Sequence, residues 1–261
     1  MQHKVIRSFL IAFGLLASCL AHAEYLLGPG DMVRVTVYGS PDLTTETRIT
    51  QQGNLTFPLL GAVPVGGSSV AQSETKIASL LEKGGFVKQA QVNIIVTQFN
   101  SQQVSVLGDL NKPGRYPLEH ASTLFEVIAA AGGINANGSD IVTVLSRQDG
   151  KTEKHDYDLP NMLLKGEGTE IMVQADDIIY VPHAPMFYIY GEVQRPGQFR
   201  LERDMTVAQA LAAGGGLTMR GTESGLNIKR RNAAGVLETI AAKADDLLKK
   251  DDVLLVHESL F

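Results

Sequence analysis

The 261-residue chain lacks several features that common functions require. It contains no Trp, so a platform on which sugars stack would have to use Tyr or Phe. Its only Cys is Cys19, which excludes an internal disulfide and leaves stability to packing. No phosphate-binding loop, dinucleotide fingerprint or nucleophile elbow occurs. Beyond the leader, no segment approaches the roughly 20 apolar residues of a spanning helix. We therefore expect the mature part to be soluble or held to a membrane by a lipid alone.

An excess of positive charge is also absent. The sequence has 23 Lys and Arg against 28 Asp and Glu, and loss of Lys4 and Arg7 with a leader leaves 21 against 28, a net charge of −7. This balance argues against nucleic acid or anionic lipid as the main partner. The histidines are scattered without a second ligand at metal spacing, so neither a metal site nor a cofactor is expected. They are His3, His22, His120, His155, His183 and His257.

The chain start predicts export. Lys4 and Arg7 precede an apolar stretch over 9–20 that is too short to span a bilayer, and Ala21-His22-Ala23 fits the small-residue rule for signal peptidase. Residues 1–23 are therefore expected to be a signal peptide. The run Leu16-Ala17-Ser18-Cys19 also resembles a bacterial lipobox, in which Cys19 would become a lipidated first residue. Both processing routes stay open.

One passage of the chain occurs twice at a fixed offset of 83 positions, which indicates tandem copies of one structural unit. An acidic pair also precedes the last apolar run of each copy, at Asp176-Asp177 and at Asp251-Asp252. That second offset is 75, so the second copy lacks eight residues in its middle. The recurring residues are Gly108, Pro113, Gly114, Leu118, Thr123, Ala129, Gly132, Gly133, Gly138 and Arg147, which return as Gly191, Pro196, Gly197, Leu201, Thr206, Ala212, Gly215, Gly216, Gly221 and Arg230.

Each copy is predicted to begin with a strand and a tight turn. Alternation predicts a strand that buries Val104 and Val106 in the first copy, and Tyr188 and Tyr190 in the second. The Pro-Gly pairs at 113–114 and 196–197 predict type II turns, because Pro fixes φ at the second position and Gly permits positive φ at the third.

A short helix is predicted to follow in each copy. Thr123 with Glu126, and Thr206 with Gln209, predict capping boxes at the helix starts. Glycines at 132–133 and 214–216 predict helix ends with left-handed residues. With a return strand, each copy reads as a small α+β module whose helix packs on one face of a sheet.

Residues 24–102 have a pattern of their own. The run Leu27-Gly28-Pro29-Gly30-Asp31 predicts a turn, for which a structural role is favoured over a ligand role. The predicted elements that follow are a strand over 32–38 with Val33, Val35 and Val37 on one face, a hairpin around 51–54, a helix opened by Ser69 and Gln72 with Ile77, Leu80 and Leu81 as its apolar stripe, and a strand with Val92, Ile94 and Val96.

Paired carboxylates are the strongest sign of an enzyme. Asp176-Asp177, Asp245-Asp246 and Asp251-Asp252 could suggest catalysis on sugars, since glycosidases use two carboxyl groups at a fixed separation. The first and third pairs occupy the same place in both copies, however, which favours a turn role. We predict no catalytic residue and expect that the protein is not an enzyme.

Taken together, these runs resemble a known family. Leu27-Gly28-Pro29-Gly30-Asp31 with its valine strand, and the run at 57–61, resemble the polysaccharide biosynthesis/export domain of Wza-type proteins. The Gly-x(4)-Pro-Gly and Ala-x-Gly-Gly patterns of the two copies resemble soluble-ligand-binding β-grasp (SLBB) domains. The order of the domains, at 24–102, 103–185 and 186–261, is most similar to the short exopolysaccharide export proteins called EpsE. The motif residues expected to have structural roles are Gly28, Pro29, Gly30, Asp31, Pro58, Gly61, Gly108, Pro113, Gly114, Gly132, Gly133, Gly191, Pro196, Gly197, Gly215 and Gly216.

The resemblance implies a ring of subunits, commonly eight, through which capsular or exopolysaccharide leaves the periplasm. It further implies an inner-membrane co-polymerase, often with a tyrosine kinase, as a partner. Long family members end in an amphipathic helix that crosses the outer membrane, whereas only residues 257–261 follow the last predicted strand here. Five residues cannot cross a membrane, so a separate outer-membrane pore is expected. The alternative left open is a periplasmic β-grasp module that binds a small soluble ligand as a monomer.

Overall fold

The computed structural model describes residues 24–148, 150–166 and 170–259. The predictions for the signal peptide and for Cys19 lie outside these residues. The described residues form mixed sheets and four α-helices, which confirms the α+β class. Their contacts divide into two compact units, one of 24–104, 116–124 and 170–176, the other of 105–115, 125–166 and 177–259.

The N-terminal region contains a three-stranded antiparallel sheet, a hairpin and one long helix. Val33, Val35 and Val37 are buried on one face of the central strand, as predicted. The sheet order is β2-β1-β5, and β3 pairs with β4 in the hairpin. The elements are β1 (Met32–Val37), a 3₁₀ helix (Pro41–Leu43), β2 (Thr45–Arg48), β3 (Asn54–Phe57), β4 (Gly61–Pro64), α1 (Val70–Lys83) and β5 (Val92–Gln98).

The capping box of α1 is confirmed. The Gln72 amide donates to the Ser69 hydroxyl at 3.3 Å, and the Ser69 amide donates to the Gln72 side chain at 3.1 Å. Ile77 and Leu81 are buried, but Leu80 is 36% exposed, so the apolar stripe is narrower than predicted.

The hairpin predicted around residues 51–54 is wrong. A turn does form there, closed by the Thr50 amide and the Asn54 carbonyl at 2.9 Å, with Gly53 at a φ of 76°. The strands on either side of this turn, however, belong to different sheets, because β2 pairs with β1 whereas β3 pairs with β4.

The first repeat folds as a five-stranded sheet with the order β10-β9-β12-β6-β7, in which β12 runs parallel to β6. Short strands β8 and β11 form a separate pair. The elements are β6 (Gln103–Gly108), β7 (Gly114–Pro117), β8 (Ser122–Thr123), α2 (Leu124–Ala130), β9 (Ile141–Gln148), β10 (Lys151–Asp158), α3 (Leu159–Lys165), β11 (Met172–Val173) and β12 (Ile178–Val181).

The second repeat has the same sheet, with the order β14-β13-β17-β15-β16 and with β17 parallel to β13. The duplication is therefore confirmed. The missing eight residues are located as well, since 159–177 separate β10 from β12 whereas 242–252 separate β16 from β17. The longer connection contains α3 and β11. The elements are β13 (Met186–Gly191), β14 (Gly197–Arg200), α4 (Val207–Ala213), β15 (Asn227–Arg231), β16 (Leu237–Ala241) and β17 (Val253–Val256).

The buried face was predicted correctly in the first repeat and wrongly in the second. Val104 and Val106 are fully buried, but Tyr188 and Tyr190 are 39% and 38% exposed, and Phe187 and Ile189 take the core positions. A shift of one residue in a strand moves every side chain to the other face. The tyrosines therefore lie on the outer face of the second sheet.

The predicted type II turns are wrong in both repeats. Gly114 has a φ outside the positive region and Gly197 has a φ of 156°, so neither adopts the third-position geometry of that turn. The loop amides instead donate to the end of the helix. Lys112 N reaches Ala131 O at 2.9 Å, and Arg195 N reaches Gly214 O at 2.8 Å.

The helix ends follow the prediction. Gly132 and Gly133 have φ values of 77° and 80°, and Gly215 and Gly216 have values of 85° and 84°. The capping box between Thr206 and Gln209 is confirmed. Its counterpart at Thr123 and Glu126 stays a prediction, although α2 does begin directly after Thr123.

Candidate functional site

The Gly-Pro-Gly-Asp turn is built around a buried carboxylate. Asp31 is fully buried and accepts hydrogen bonds from the Tyr25 hydroxyl at 2.7 Å and from the Gly28 amide at 2.9 Å. It also accepts from the amides of Asn100 and Ser101 at 2.8 and 2.7 Å, and from the Ser101 hydroxyl at 2.8 Å. Burial raises the pKa of the Tyr25 hydroxyl. These bonds connect the start of the domain to the end of β5, and they occupy the carboxylate that a ligand would need.

The other motif residues of this region lie in turns. Pro58 lies in the hairpin turn between β3 and β4, in which Leu59 has a φ of 67°. Gly61, the first residue of β4, has a φ of 70°. A Cβ at Gly28 would lie 2.4 Å from the Ser101 Cβ, and Gly30 has a φ of 95°. These residues therefore have roles within the fold of the domain itself.

The duplicated acidic pairs form turns before the return strands, as predicted. Asp176 and Asp251 are left-handed, with φ values of 67° and 64°. Their amides donate to Gln103 O at 2.9 Å and to Met186 O at 2.8 Å. The second residue of each pair, Asp177 or Asp252, is buried.

Asp252 has a charged partner. Its carboxylate accepts from Arg230 at 2.7 and 2.6 Å and from the Lys249 amide at 2.7 Å. The hydrogen bond to Asp252 raises the pKa of the Arg230 guanidinium. Asp246 likewise closes a turn by accepting from the Lys243 amide at 2.7 Å. These carboxylates therefore have structural partners.

Two glycines let the first and last strands of each repeat approach closely. Gly108 and Gly191 have φ values of 96° and 100°. A Cβ there would lie 2.0 Å from Val181 O and 2.1 Å from Val256 O. Neither position accommodates another residue without displacing the backbone.

The junction of the repeats is held by Arg200, at the end of β14. Its guanidinium donates to Ala136 O at 3.1 Å, to Gly138 O at 3.0 Å and to the Asp140 carboxylate at 2.9 Å. The same junction contains an ion pair of 2.8 Å between Arg203 and Asp158, which lowers the pKa of Asp158. The four charged residues Arg200, Asp140, Arg203 and Asp158 line an open cavity of about 470 Å³.

Sequence reasoning missed this junction. The position equivalent to Arg200 in the first repeat is Pro117, so the arginine departs from the repeat pattern. That departure is the signal by which it could have been found.

The outer face of the first sheet borders a second open cavity, of about 600 Å³. Its lining includes Tyr180, which is 42% exposed, together with Lys154, Asp156 and Lys250. Asp156 accepts from the Thr143 hydroxyl at 2.6 Å and from Lys154 at 3.0 Å, and the bond from Thr143 is the main cause that lowers its pKa. The face offers an aromatic ring and hydrogen-bonding groups.

The described histidines are kept apart. His183 contacts Asp109 at 2.8 Å, His155 contacts Glu153 at 3.5 Å and His257 contacts Asn227 at 2.8 Å. Among the residues that the structure describes, no three His, Cys, Asp or Glu side chains are grouped to hold a metal ion. Within the same ranges, no helix has the length and hydropathy needed to cross a membrane.

Three regions of the chain match known protein families. Residues 20–97 match the family described as polysaccharide biosynthesis/export protein. Residues 102–181 and 186–241 each match a family described as SLBB domain. The chain is thus a polysaccharide biosynthesis/export domain followed by two SLBB domains.

Its relatives are named for polysaccharide transport. The chain is 26% identical over 193 residues to the polysialic acid transport protein KpsD of Escherichia coli, an alignment that covers 72% of this chain and 34% of KpsD. It is 25% identical over 223 residues to the EPS I polysaccharide export outer membrane protein EpsA of Ralstonia nicotianae, covering 74% of this chain and 57% of EpsA. It is 25% identical over 181 residues to the capsule polysaccharide export outer membrane protein CtrA of Neisseria meningitidis, covering 69% and 45%. The chain therefore spans between a third and somewhat more than half of the length of these relatives.

Proposed function

We propose that the protein is a subunit of a ring-shaped conduit that exports capsular or exopolysaccharide across the cell envelope. The observation that carries this proposal is the order of one export domain and two SLBB domains, shared with relatives named for polysaccharide export. The proposed location of the protein is the periplasm, in association with the outer membrane. The names of the relatives EpsA and CtrA, each an export outer membrane protein, support the association with the outer membrane.

Assembly is supported by the outer faces of the two repeats. Each sheet packs one face on its core, and the opposite face keeps large apolar side chains at the surface. Such side chains in neighbouring positions are typical of interaction surfaces. On the first sheet they are Leu107, Ile141 and Tyr180, and on the second they are Tyr188 and Tyr190.

A closed ring needs two different, complementary surfaces on each subunit, because rotation about an axis makes head-to-tail contacts. The two sheets supply different faces. The first borders the open cavity lined by Lys154, Asp156 and Lys250, and the second bears Tyr188, Tyr190 and Lys229. The resemblance to Wza-type proteins suggests eight subunits.

The partners proposed from the same resemblance are the polysaccharide cargo and an inner-membrane co-polymerase with or without a tyrosine kinase. The domain bounds 24–102, 103–185 and 186–261, and processing after Ala23 or at Cys19, stay predictions. Contacts with the cargo are proposed to be weak and distributed, because a conduit that binds tightly would stall its cargo.

Deletion of the gene and complementation with the full chain test the proposal. We expect cells without the protein to lose surface polysaccharide while still synthesising its lipid-linked precursor. Export should return with the wild-type chain. Unchanged surface polysaccharide in the deletion strain would contradict the proposed function.

A second candidate function is a monomeric module that binds a small soluble ligand. The open cavity of about 600 Å³ beside Tyr180 is the observation that favours it. This function predicts a monomer with saturable binding of a sugar nucleotide or short glycan. Titration of the full chain with such compounds separates the two candidates, since the conduit predicts only weak contacts.

A further inference from the structure

The loop that accepts Arg200 in the first repeat has a counterpart in the second repeat. Both loops make the same internal contacts at an offset of 83 positions. Gly138 N donates to Asn135 O at 3.0 Å, and Gly221 N donates to Thr218 O at 3.1 Å. Asn135 N meets Asp109 O at 3.0 Å, and Thr218 N meets Glu192 O at 3.2 Å. The two loops therefore have the same backbone course.

The segment that follows the last strand of each repeat binds the loop of that repeat, and the contacts are equivalent in the two repeats. Gly138 bridges to His183, and Gly221 bridges to Glu258. Ser139 N donates to Pro182 O at 2.8 Å, and Thr222 N donates to His257 O at 3.2 Å. We infer that the carbonyl groups of residues 219 and 221 are directed as those of 136 and 138 are.

In the first repeat these oxygens are occupied. Two carbonyls and the Asp140 carboxylate accept from the single guanidinium of Arg200. The corresponding oxygens in the second repeat are those of Met219, Gly221 and Glu223. Among the described residues, no hydrogen-bond donor is placed against them. Met219 is fully exposed and the Glu223 side chain is exposed.

We propose that residues 219–223 form a docking site for an arginine carried on the edge strand of a β domain in a partner protein. Arg200 itself lies on β14, an edge strand of its sheet, so the first repeat shows how such an arginine enters. An arginine is preferred over a lysine because its planar fork of donors serves several oxygens at once.

The edge strand equivalent to β14 in a second copy of this chain does not supply the arginine. The edge strand equivalent to β14 in the first repeat is β7, which has Pro117 at the position of Arg200. The second repeat has the arginine, but that side chain is already bound to the first repeat of its own chain. This inference does not depend on the proposed export function.

An extended chain tests the loop directly. The ends of the two repeats are 75 positions apart, so position 261 corresponds to Met186, the first residue of the second repeat. A second copy of residues 187–259 fused after residue 261 therefore has the same spacing from the second repeat as the second repeat has from the first. Hydrogen exchange of the amides at 219–223 is compared between the extended and the unextended chain. We expect exchange about tenfold slower in the extended chain, since the added arginine makes charge-assisted hydrogen bonds.

Two variants show whether the arginine causes the protection. Arg200→Ala in the added segment alone, or Glu223→Lys, should return exchange to the rate of the unextended chain. The matched control is Arg200→Ala in the original chain, which should accelerate exchange at 136–140 by a similar factor. The proposal is overturned if the control responds while residues 219–223 exchange equally fast with and without the added arginine.

A second measurement applies if the extended chain does not fold. The unextended chain, with a ¹³C label on the Met219 methyl group, is titrated with a peptide of residues 185–203. A saturable shift with the arginine peptide and none with the Arg200→Ala peptide supports the site. No shift, or equal shifts with both peptides, contradicts it.

The partner is tested in the producing cell with a photo-crosslinking residue in place of Met219 in the full chain. The expected crosslink disappears with Glu223→Lys and with replacement of one edge-strand arginine in the captured protein by Ala. A crosslink that is insensitive to both changes would overturn the claim.

Discussion

The two repeats of this chain have the same backbone frame, yet they present different groups to their surroundings. Gly108 and Gly191, and the left-handed Asp176 and Asp251, occupy equivalent places with nearly equal φ values. The outer faces differ, because Ser105 and Leu107 in the first repeat correspond to Tyr188 and Tyr190 in the second. Residues that fix the backbone are the same in both repeats, whereas residues on the outer faces of the sheets differ.

The same contrast holds at the ends of the repeats. The loop at 136–140 binds Arg200. In the equivalent loop at 219–223, Arg220 pairs with Glu258, and among the described residues no donor is placed against the oxygens of Met219, Gly221 and Glu223. The helix α3 exists only in the first repeat, where it exposes Leu163 and Leu164. The second repeat folds without it, so these exposed leucines are not needed for the fold of the module.

The largest effect is expected from a charge on the buried face of β13. Ile189→Asp places a carboxylate where the side chain is 1% exposed, and should lower the free energy of unfolding by about 5 kcal/mol. Tyr190→Asp, one residue along, should cost less than about 1 kcal/mol because it lies on the outer face. Urea unfolding of both variants makes the measurement. Equal losses would show that the two faces are assigned wrongly.

A smaller loss of stability is expected when Gly191, which lies close to the last strand of its repeat, is replaced. Gly191→Ala should destabilise the protein by about 4 kcal/mol, because the added Cβ meets Val256 O in a left-handed residue. Gly216→Ala is the matched control, since its φ is also positive but its Cβ meets open space, and it should cost about 1 kcal/mol. Thermal unfolding of both variants compares them. If the control lost as much, strain alone and not the close approach would explain the glycine.

The buried ion pair of the second repeat gives the next effect. Arg230→Ala leaves the fully buried Asp252 carboxylate without its charged partner and should cost about 3 kcal/mol. Arg147, the equivalent residue in the first repeat, is exposed, so Arg147→Ala should cost less than about 1 kcal/mol. Chemical denaturation reports both values. Similar losses of stability at the two positions would contradict the claim that only the second repeat depends on this arginine.

The smallest effect is a pH dependence at the junction. Arg203 holds the pKa of Asp158 below its ordinary value of about 3.9. The stability from this pair is therefore complete above that ordinary value and is lost as the pH falls through the lowered pKa. Asp158→Asn keeps an N-cap side chain for α3 and removes the charge, so its unfolding midpoint should depend less on pH between neutral and acid conditions. The shift is small because the pair is at the surface. Parallel pH profiles for the two proteins would contradict the assignment.

Much of the frame could be predicted from sequence because its causes are local. A Ser with Gln three residues later at a helix start, or two glycines at a helix end, acts through neighbouring backbone groups. The capping boxes of α1 and α4 and the left-handed glycines at both helix ends follow from such patterns. Because the same motif residues recur in both copies, a prediction made for one copy applied to the other as well.

The errors occurred where the deciding contact is distant in sequence. Every residue over 186–190 is apolar or aromatic, so alternation could not show whether Phe187 or Tyr188 faces the core. The Pro-Gly loops depart from type II geometry because their amides bind the end of a helix that lies further along the chain. The junction at Arg200 joins residues about 60 positions apart, which no local pattern reveals.

The central claim is that this chain works as an assembled conduit subunit, and the mass of the particle it forms tests that claim most directly. The mature protein is extracted from envelopes of producing cells in mild detergent, and its mass is measured by light scattering with negative-stain imaging of the same fraction. We expect a closed ring whose mass is a whole-number multiple of the subunit mass. A monomer in every extract, from cells that export polysaccharide normally, would contradict it.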